Sequence, residues 1–170
     1  ARDHLDPRIP RGKQSPAGVP FGIVYGPTAG IWQSVYIESV GSAYTRNVAA
    51  HANLETGTLE LTMRVAGEPG QYKLELEAVD PDGAATKAKA AFEITSSGHT
   101  TLNEAMSIKK PKAWSPGEPN VYRLHIKISS PSGKVLDRLH THFGFRSIAV
   151  RDGEILLNGE KLYQKLVLAQ

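Results

Sequence analysis

Thr58-Leu59-Glu60-Leu61-Thr62-Met63-Arg64-Val65 sets the pattern of the chain. Apolar and polar side chains alternate without a break. A β-strand is the backbone that sends successive side chains to opposite faces, so one face of this segment is dry and the other wet. Leu59, Leu61, Met63 and Val65 form the dry face, and Glu60, Thr62 and Arg64 the wet one.

The pattern recurs on both sides. Tyr72, Leu74, Leu76 and Ala78 alternate with Lys73, Glu75 and Glu77, and Tyr122, Leu124, Ile126 and Ile128 alternate with Arg123, His125 and Lys127. Strands with one wet face belong to antiparallel sheets. Turn chemistry separates them: Asp80-Pro81-Asp82-Gly83, Ser130-Pro131-Ser132-Gly133, Asp152-Gly153 and Asn158-Gly159 supply residues that tolerate the positive φ of tight hairpins. Strands are predicted at 31–40, 48–53, 58–65, 72–79, 86–94, 101–108, 121–129 and 135–143. Alanines and lysines over 84–91 favour a helix by propensity. Ala88, Ala90, Phe92 and Ile94 nevertheless fall on one strand face opposite Lys87, Lys89 and Glu93, and a strand is expected there. Seven or eight short strands describe an all-β, immunoglobulin-like antiparallel β-sandwich. An extended N-terminal tail precedes it, and a C-terminal β-hairpin at Asn158-Gly159 follows. Beyond that hairpin, Lys165-Leu166-Val167-Leu168-Ala169 reads as a buried strand without a partner.

With 170 residues, 40% apolar, 22% charged and no cysteine, the chain is not disordered, collagen-like or a disulfide-stapled miniature. No apolar run approaches the roughly 20 residues that span a bilayer, so no membrane partner is expected. Twenty Lys and Arg against seventeen Asp and Glu give +3. In sequence these charges are scattered, which gives nucleic-acid binding no support. Absent cysteine fits a cytoplasm, a periplasm or a secreted setting equally. Ala1-Arg2-Asp3-His4 is neither a methionine start nor a signal peptide, and reads as the middle of something longer.

Candidates for chemistry are few. Glu75 and Glu77 share a strand face, but the alternation places them on the solvated side. Asp80 and Asp82 belong to turn chemistry. His140 and His142, two apart on a strand, point to one face and could hold a metal, yet no third ligand follows at a sensible spacing. No Gly-x-Ser-x-Gly elbow, Gly-x-Gly-x-x-Gly turn or Walker loop is present. No catalytic residue, metal site or cofactor is therefore assigned. Trp32 and Trp114 remain as candidate sugar platforms, with ordinary packing as the alternative for each.

Three segments, in order, resemble glycoside hydrolase family 2, which includes β-galactosidases, β-glucuronidases and β-mannosidases. Gly30-Ile31-Trp32-Gln33-Ser34-Val35-Tyr36-Ile37-Glu38 is similar to the family's Gly-Ile-Trp-x-x-Val-x-Leu-Glu passage. Trp114-Ser115-Pro116-Gly117-Glu118-Pro119-Asn120-Val121-Tyr122-Arg123-Leu124 is similar to its Trp-Ser-Pro-x-x-Pro-x-Leu-Tyr-x-Leu. Asp137, then Phe143-Gly144-Phe145-Arg146, then Leu157-Asn158-Gly159-Glu160-Lys161 resemble the bridge into the catalytic barrel, with Glu160-Lys161 in place of the usual Lys-Pro. Ile9-Pro10-Arg11-Gly12-Lys13-Gln14 resembles a stretch late in the upstream domain of some members.

The resemblance implies a multidomain parent: a jelly roll, an immunoglobulin-like sandwich, then a TIM barrel. Such a parent hydrolyses O-glycosidic bonds of a carbohydrate with retention, using two barrel glutamates. On that alignment residues 1–30 are the jelly-roll tail, 31–146 the sandwich, and 147–170 the linker hairpin and the start of the barrel. Neither glutamate falls within the chain, so the piece is expected to be a non-catalytic scaffold. Its expected partners are the jelly roll and the barrel. Arg146, Asn158 and Gly159 sit at the junction as candidate interdomain contacts, with a surface ion pair as the alternative for Arg146. Without a barrel, Leu162, Leu166, Val167 and Leu168 are expected to be covered by self-association or by folding back of the tail. An autonomous carbohydrate-binding module is the alternative function. An adhesion-type immunoglobulin module is a third, and leaves the Trp-Ser-Pro and Phe-Gly-Phe-Arg segments unexplained.

Overall fold

The structure, a computed structural model, describes residues 12–15, 17–26, 30–31 and 33–167. The chain divides into two compact units, one over residues 39–163 and one drawn from the flanking segments. In the flanking unit, Gln14 bridges Tyr25 in parallel and Phe21 bridges Val24. Ser15 is fully buried, its amide donating to the Tyr25 carbonyl at 2.7 Å.

Residues 39–163 hold ten strands: β1 (Ala43–Asn53), β2 (Thr58–Gly67), β3 (Gly70–Val79), β4 (Ala85–Ile94), β5 (His99–Ser107), β6 (Tyr122–Ser129), β7 (Val135–Phe143), β8 (Ile148–Arg151), β9 (Glu154–Leu157) and β10 (Glu160–Lys161). They form three antiparallel sheets, ordered β1-β2-β5, β4-β3-β6-β7 and β10-β9-β8. The first two enclose the core. Leu59, Leu61, Met63 and Val65 of β2 and Leu74, Leu76, Leu124, Ile126 and Ile128 of β3 and β6 are all buried in one cluster. Full burial of one such side chain is worth about 1.5–3 kcal/mol. A surface ion pair contributes about 0–1 kcal/mol, so alternation sets the fold and the charges decorate it. Among the described residues there is no helix. β4 is a strand in full: alternation outweighs alanine propensity because Ala88 and Ala90 pack against the core while Lys87 and Lys89 face out. β4 pairs with β3 and not with β5, which leaves three strands in one sheet and four in the other.

The turns after β3 and β6 share one design. Asp80 and Ser130 each begin a Pro-x-Gly loop whose glycine (Gly83, φ 95; Gly133, φ 93) takes the left-handed conformation. Each closes with an amide from the fifth loop residue onto the opening side chain, Ala84 onto Asp80 Oδ1 at 2.8 Å and Lys134 onto Ser130 Oγ at 3.1 Å. Pro presets the first turn φ and Gly supplies the positive one.

One side of the sandwich closes through main chain. A Cβ placed on Gly41 would lie 2.4 Å from the Leu136 carbonyl oxygen, so only glycine fits this approach of β7. A few residues on, Thr45 N donates to Asp137 Oδ2 at 2.8 Å, beside the bulge between Thr45 and Asn47 in β1. Asp137 thus ties one sheet to the other and satisfies the Thr45 amide.

Two expectations are corrected. Residues 33–40 form no strand; Ile31, Val35 and Tyr36 are exposed and Ile37 is 99% exposed. Apolar content alone does not make a strand, which needs a neighbouring edge to accept its hydrogen bonds, and none pairs here among the described residues. β1 begins instead at Ala43. For the same reason Leu166 and Val167 are neither in a strand nor buried; Leu168 and Ala169 lie outside the described residues.

Candidate functional site

Three of the residues singled out by sequence converge. The β5–β6 connection, residues 108–121, runs over the end of the sandwich and is strapped down from several sides. Tyr122 is buried, and its hydroxyl accepts from Lys112 N at 2.8 Å. Its ring sits 5.1 Å from Phe143 and 5.2 Å from Phe145, an aromatic group that fills the end of the core. Asn120 Nδ2 donates to the Ala113 carbonyl at 2.9 Å, and Ser115 and Glu118 close a turn between them. Lys112 Nζ donates to the Asp82 carboxylate, which raises the ammonium pKa and ties the connection to the turn after β3.

Trp114 is the centre of this arrangement. Its amide donates to the Phe145 carbonyl at 2.7 Å, extending the parallel bridge from Ala113 to Phe145. Trp114 Cβ would stand 3.4 Å from a Cβ at Gly144, and the Arg146 guanidinium lies 5.4 Å from the ring centroid. A cation over an indole is worth about 0.5–1 kcal/mol at an exposed site. The expected sugar platform is thus a half-buried ring under a guanidinium. Arg146 itself makes no ion pair among the described residues and spends its charge on Trp114. Trp32, the other candidate platform, lies outside the described residues.

Asn158 completes the clasp. It adopts φ 55, a left-handed conformation that asparagine tolerates and the following Gly159 (φ 87) continues. Oδ1 accepts from Ser147 N at 3.0 Å, Nδ2 donates to the Trp114 carbonyl at 3.0 Å, and its own amide donates to the Ser147 carbonyl at 2.9 Å. One side chain therefore joins the β5–β6 connection, the segment after β7 and the hairpin β9–β10. Leu157 is buried beside it. Gly159 supplies conformation only, and a Cβ there would meet nothing within 4 Å.

Beside the clasp an open groove of about 710 Å³ is lined by His51, Trp114, His142, Phe143, Arg146 and Ile148, among others, and among the described residues no carboxylate lines it. Glu75 and Glu77 are far from it on the solvated sheet face. Lys127 sits 2.8 Å from Glu75, and Lys87 2.9 Å from Glu77. These hydrogen bonds hold both carboxyls below the ordinary glutamate range. His140 and His142 share the outer face of β7 as expected, but His140 meets His125 across the strand pair, ring centroids 4.5 Å apart. No group of three metal-ligating side chains exists among the described residues. The arrangement beside Trp114 can fix the direction in which the chain leaves the sandwich; it offers no nucleophile with a base.

Sequence reasoning missed two features. Asp137 was legible only as part of a familiar segment, not as the partner of Thr45. The Arg146–Trp114 contact was not legible because 31 residues separate the two, and only the Ala113–Phe145 bridge brings them together.

Comparison with known proteins agrees with this geometry. The family model described as "Glycosyl hydrolases family 2" matches residues 37–146. The β-galactosidase large subunit of Leuconostoc lactis is 31% identical over 113 residues, covering 66% of this chain and 17% of that protein. A β-galactosidase of Halalkalibacterium halodurans is 25% identical over 142 residues, 81% of this chain and 14% of its own length. The solved structure of Bacteroides uniformis β-glucuronidase 2 superposes with a TM-score of 0.63 at 20% identity, covering 71% of this chain and 16% of that one. At that identity the superposition speaks for the fold alone. Spanning about a sixth of the length of such relatives, this immunoglobulin-like sandwich with its hairpin is a piece of multidomain architecture, and it belongs to glycosyl hydrolases family 2.

Proposed function

We propose that the chain is the non-catalytic scaffold of a larger retaining glycosidase. A jelly roll precedes it, with residues 1–30 as the tail of that domain. A TIM barrel follows, reached through the hairpin and the residues up to 170. The parent would cleave O-glycosidic bonds with two barrel glutamates, and the sandwich would hold the two flanking domains in register.

One observation carries the reading: Asn158 bonds to both Trp114 and Ser147, so the hairpin leaves the sandwich in a direction set by side-chain hydrogen bonds. A loose linker would need no such contacts. Arg146, held over Trp114 and exposed, together with Asn158 and Gly159, forms the surface that a following domain would meet. Arg146 thereby gains a packing role that an ordinary surface ion pair would not supply.

Assay of the purified chain on nitrophenyl β-galactoside, β-glucuronide and β-mannoside is expected to give no turnover above blank. Turnover that survives repeated purification would overturn the scaffold reading. A sugar-binding role for Trp114 is not favoured, since Arg146 already occupies the ring face.

A further inference from the structure

Asn158-Gly159 is the only Asn-Gly pair in the chain; Asn47, Asn53, Asn103 and Asn120 are followed by Val, Leu, Glu and Val. Before glycine, an asparagine carboxamide most readily meets the next main-chain nitrogen, because glycine carries no side chain to block the approach. The fold leaves this pair both tied and accessible. Oδ1 and Nδ2 of Asn158 are each committed to a group on another segment, Ser147 N and the Trp114 carbonyl. Gly159 is exposed, a Cβ on it would meet nothing within 4 Å, and its amide donates to no group among the described residues.

We infer that Asn158 is a self-modifying site: the clasp holds its carboxamide unreactive, and opening of the hairpin lets it close on the Gly159 nitrogen and leave an isoaspartate that cannot rebuild the clasp. A base from the solvent takes the Gly159 amide proton, and the nitrogen attacks Cγ of Asn158. The N–Cγ bond forms and the Cγ–Nδ2 bond breaks. A proton returns to the departing nitrogen, which leaves as ammonia. The cyclic succinimide then takes up water. Cleavage at the side-chain carbonyl gives aspartate, and cleavage at the main-chain carbonyl gives isoaspartate, with the chain running through Cγ. Water enters, ammonia departs, and nothing is oxidised or reduced.

Attack turns Cγ from planar to tetrahedral, which moves Oδ1 and Nδ2 off the positions their partners need. Both hydrogen bonds must therefore be released first. Two such bonds correspond to about five- to 150-fold in an opening equilibrium. The rate then follows the population of the open hairpin, because opening and closing are fast beside the chemistry. The two products differ in what they keep. Aspartate retains the acceptor for Ser147 and loses only the donor to Trp114. Isoaspartate adds a methylene to the main chain, so the turn at φ 55 and φ 87 loses the spacing that pairs Leu157 with Glu160. Modification is thus a one-way release of the hairpin. It uses the clasp geometry alone and stands without the scaffold reading.

The test incubates the whole 170-residue chain in mildly alkaline buffer, folded and in guanidinium chloride, at one temperature. Mass spectrometry of proteolytic peptides reads the amide-to-acid change, and enzymatic methylation reads isoaspartate. Asp82-Gly83 and Asp152-Gly153 can isomerise but release no ammonia, so the change in mass marks asparagine. Asn158 is expected to react at least about tenfold slower in the folded chain than in denaturant. Leu157→Ala, checked for an intact sandwich by circular dichroism, removes the buried side chain beside the turn; it is expected to narrow that gap severalfold and to leave the rate in denaturant unchanged. In aged protein, the isoaspartate form is expected to lose protection of the Leu162 amide while amides of β3 and β6 keep theirs. Equal rates in the folded and denatured chain, no isoaspartate in denaturant, a folded rate untouched by Leu157→Ala, or intact Leu162 protection in the isoaspartate form would each overturn the inference.

Discussion

Replacing Asn158 with alanine should release the hairpin while leaving the sandwich folded. The substitution removes two side-chain hydrogen bonds, Ser147 N to Oδ1 and Nδ2 to the Trp114 carbonyl, both 3.0 Å. Each is worth about 0.5–1.5 kcal/mol net. It also places alanine at φ 55, a left-handed conformation that costs an ordinary side chain about 1–2 kcal/mol. Together these come to about 2–5 kcal/mol, against about 1.4 kcal/mol for each tenfold change in an opening equilibrium. Hydrogen exchange reads this directly. The Leu162 amide, which donates to the Ile155 carbonyl at 2.9 Å, should exchange at least about 30-fold faster, while amides of β3 and β6 keep their protection. Asn158→Gly loses both bonds but relieves the backbone, and should fall between wild type and alanine. Asn158→Asp keeps the acceptor for Ser147 and should fall closer to wild type. Unchanged exchange of the Leu162 amide in Asn158→Ala would refute the clasp.

Three further outcomes follow from the same geometry. Asp137→Ala strips the Thr45 amide of a charged acceptor and should cost about 1.5–3 kcal/mol in urea unfolding, with Asp137→Asn recovering much of the loss; an unchanged midpoint in the alanine variant would rule out the inter-sheet tie. Glu75 and Glu77 have folded pKa values below the ordinary 4.5, so their ion pairs contribute fully above the unfolded value and fade as pH falls through the folded one. Lys87 is raised above 10.5, and its share is present below that value and lost as pH rises through the folded one. In a carbon-detected NMR titration, Lys127→Met should raise the Glu75 pKa more than Lys89→Met does, since the Lys127 hydrogen bond is the largest cause; equal shifts would contradict that order. Finally, with Ile37 99% and Val167 93% exposed, the chain should self-associate in sedimentation, and Ile37→Ser with Val167→Ser should shift it toward monomer. A wild-type monomer at every concentration would count against this.

The strands of the core were legible because each carries its own evidence: a period of two, bounded by Pro-x-Gly or Asn-Gly turns. β4 was legible despite its alanines, because alternation reports which face meets the core, whereas propensity is a weak preference that packing overrides. Residues 33–40 failed for the complementary reason. Gln33-Ser34 and Glu38-Ser39 break any period of two, and hydrogen bonds come from a neighbour and not from the segment itself. What lay outside sequence reasoning was register. Nothing local says that His125 faces His140, that Asp137 reaches Thr45, or that Arg146 covers Trp114. Each contact joins residues well separated along the chain, and each depends on strands or bridges that form between distant segments.

The paired loops after β3 and β6 have a practical consequence. Because the two five-residue loops share their proline, their left-handed glycine and their closing amide, each is a portable part whose geometry does not depend on the strands it joins. Their tips, Pro81-Asp82 and Pro131-Ser132, are exposed, and no Cβ at Gly83 or Gly133 would touch a neighbour. A fluorophore, an affinity tag or an inserted peptide can therefore be carried at Ser132, whereas Asp82 is committed to Lys112 and Gly41, pressed against the Leu136 carbonyl, leaves no room for any cargo.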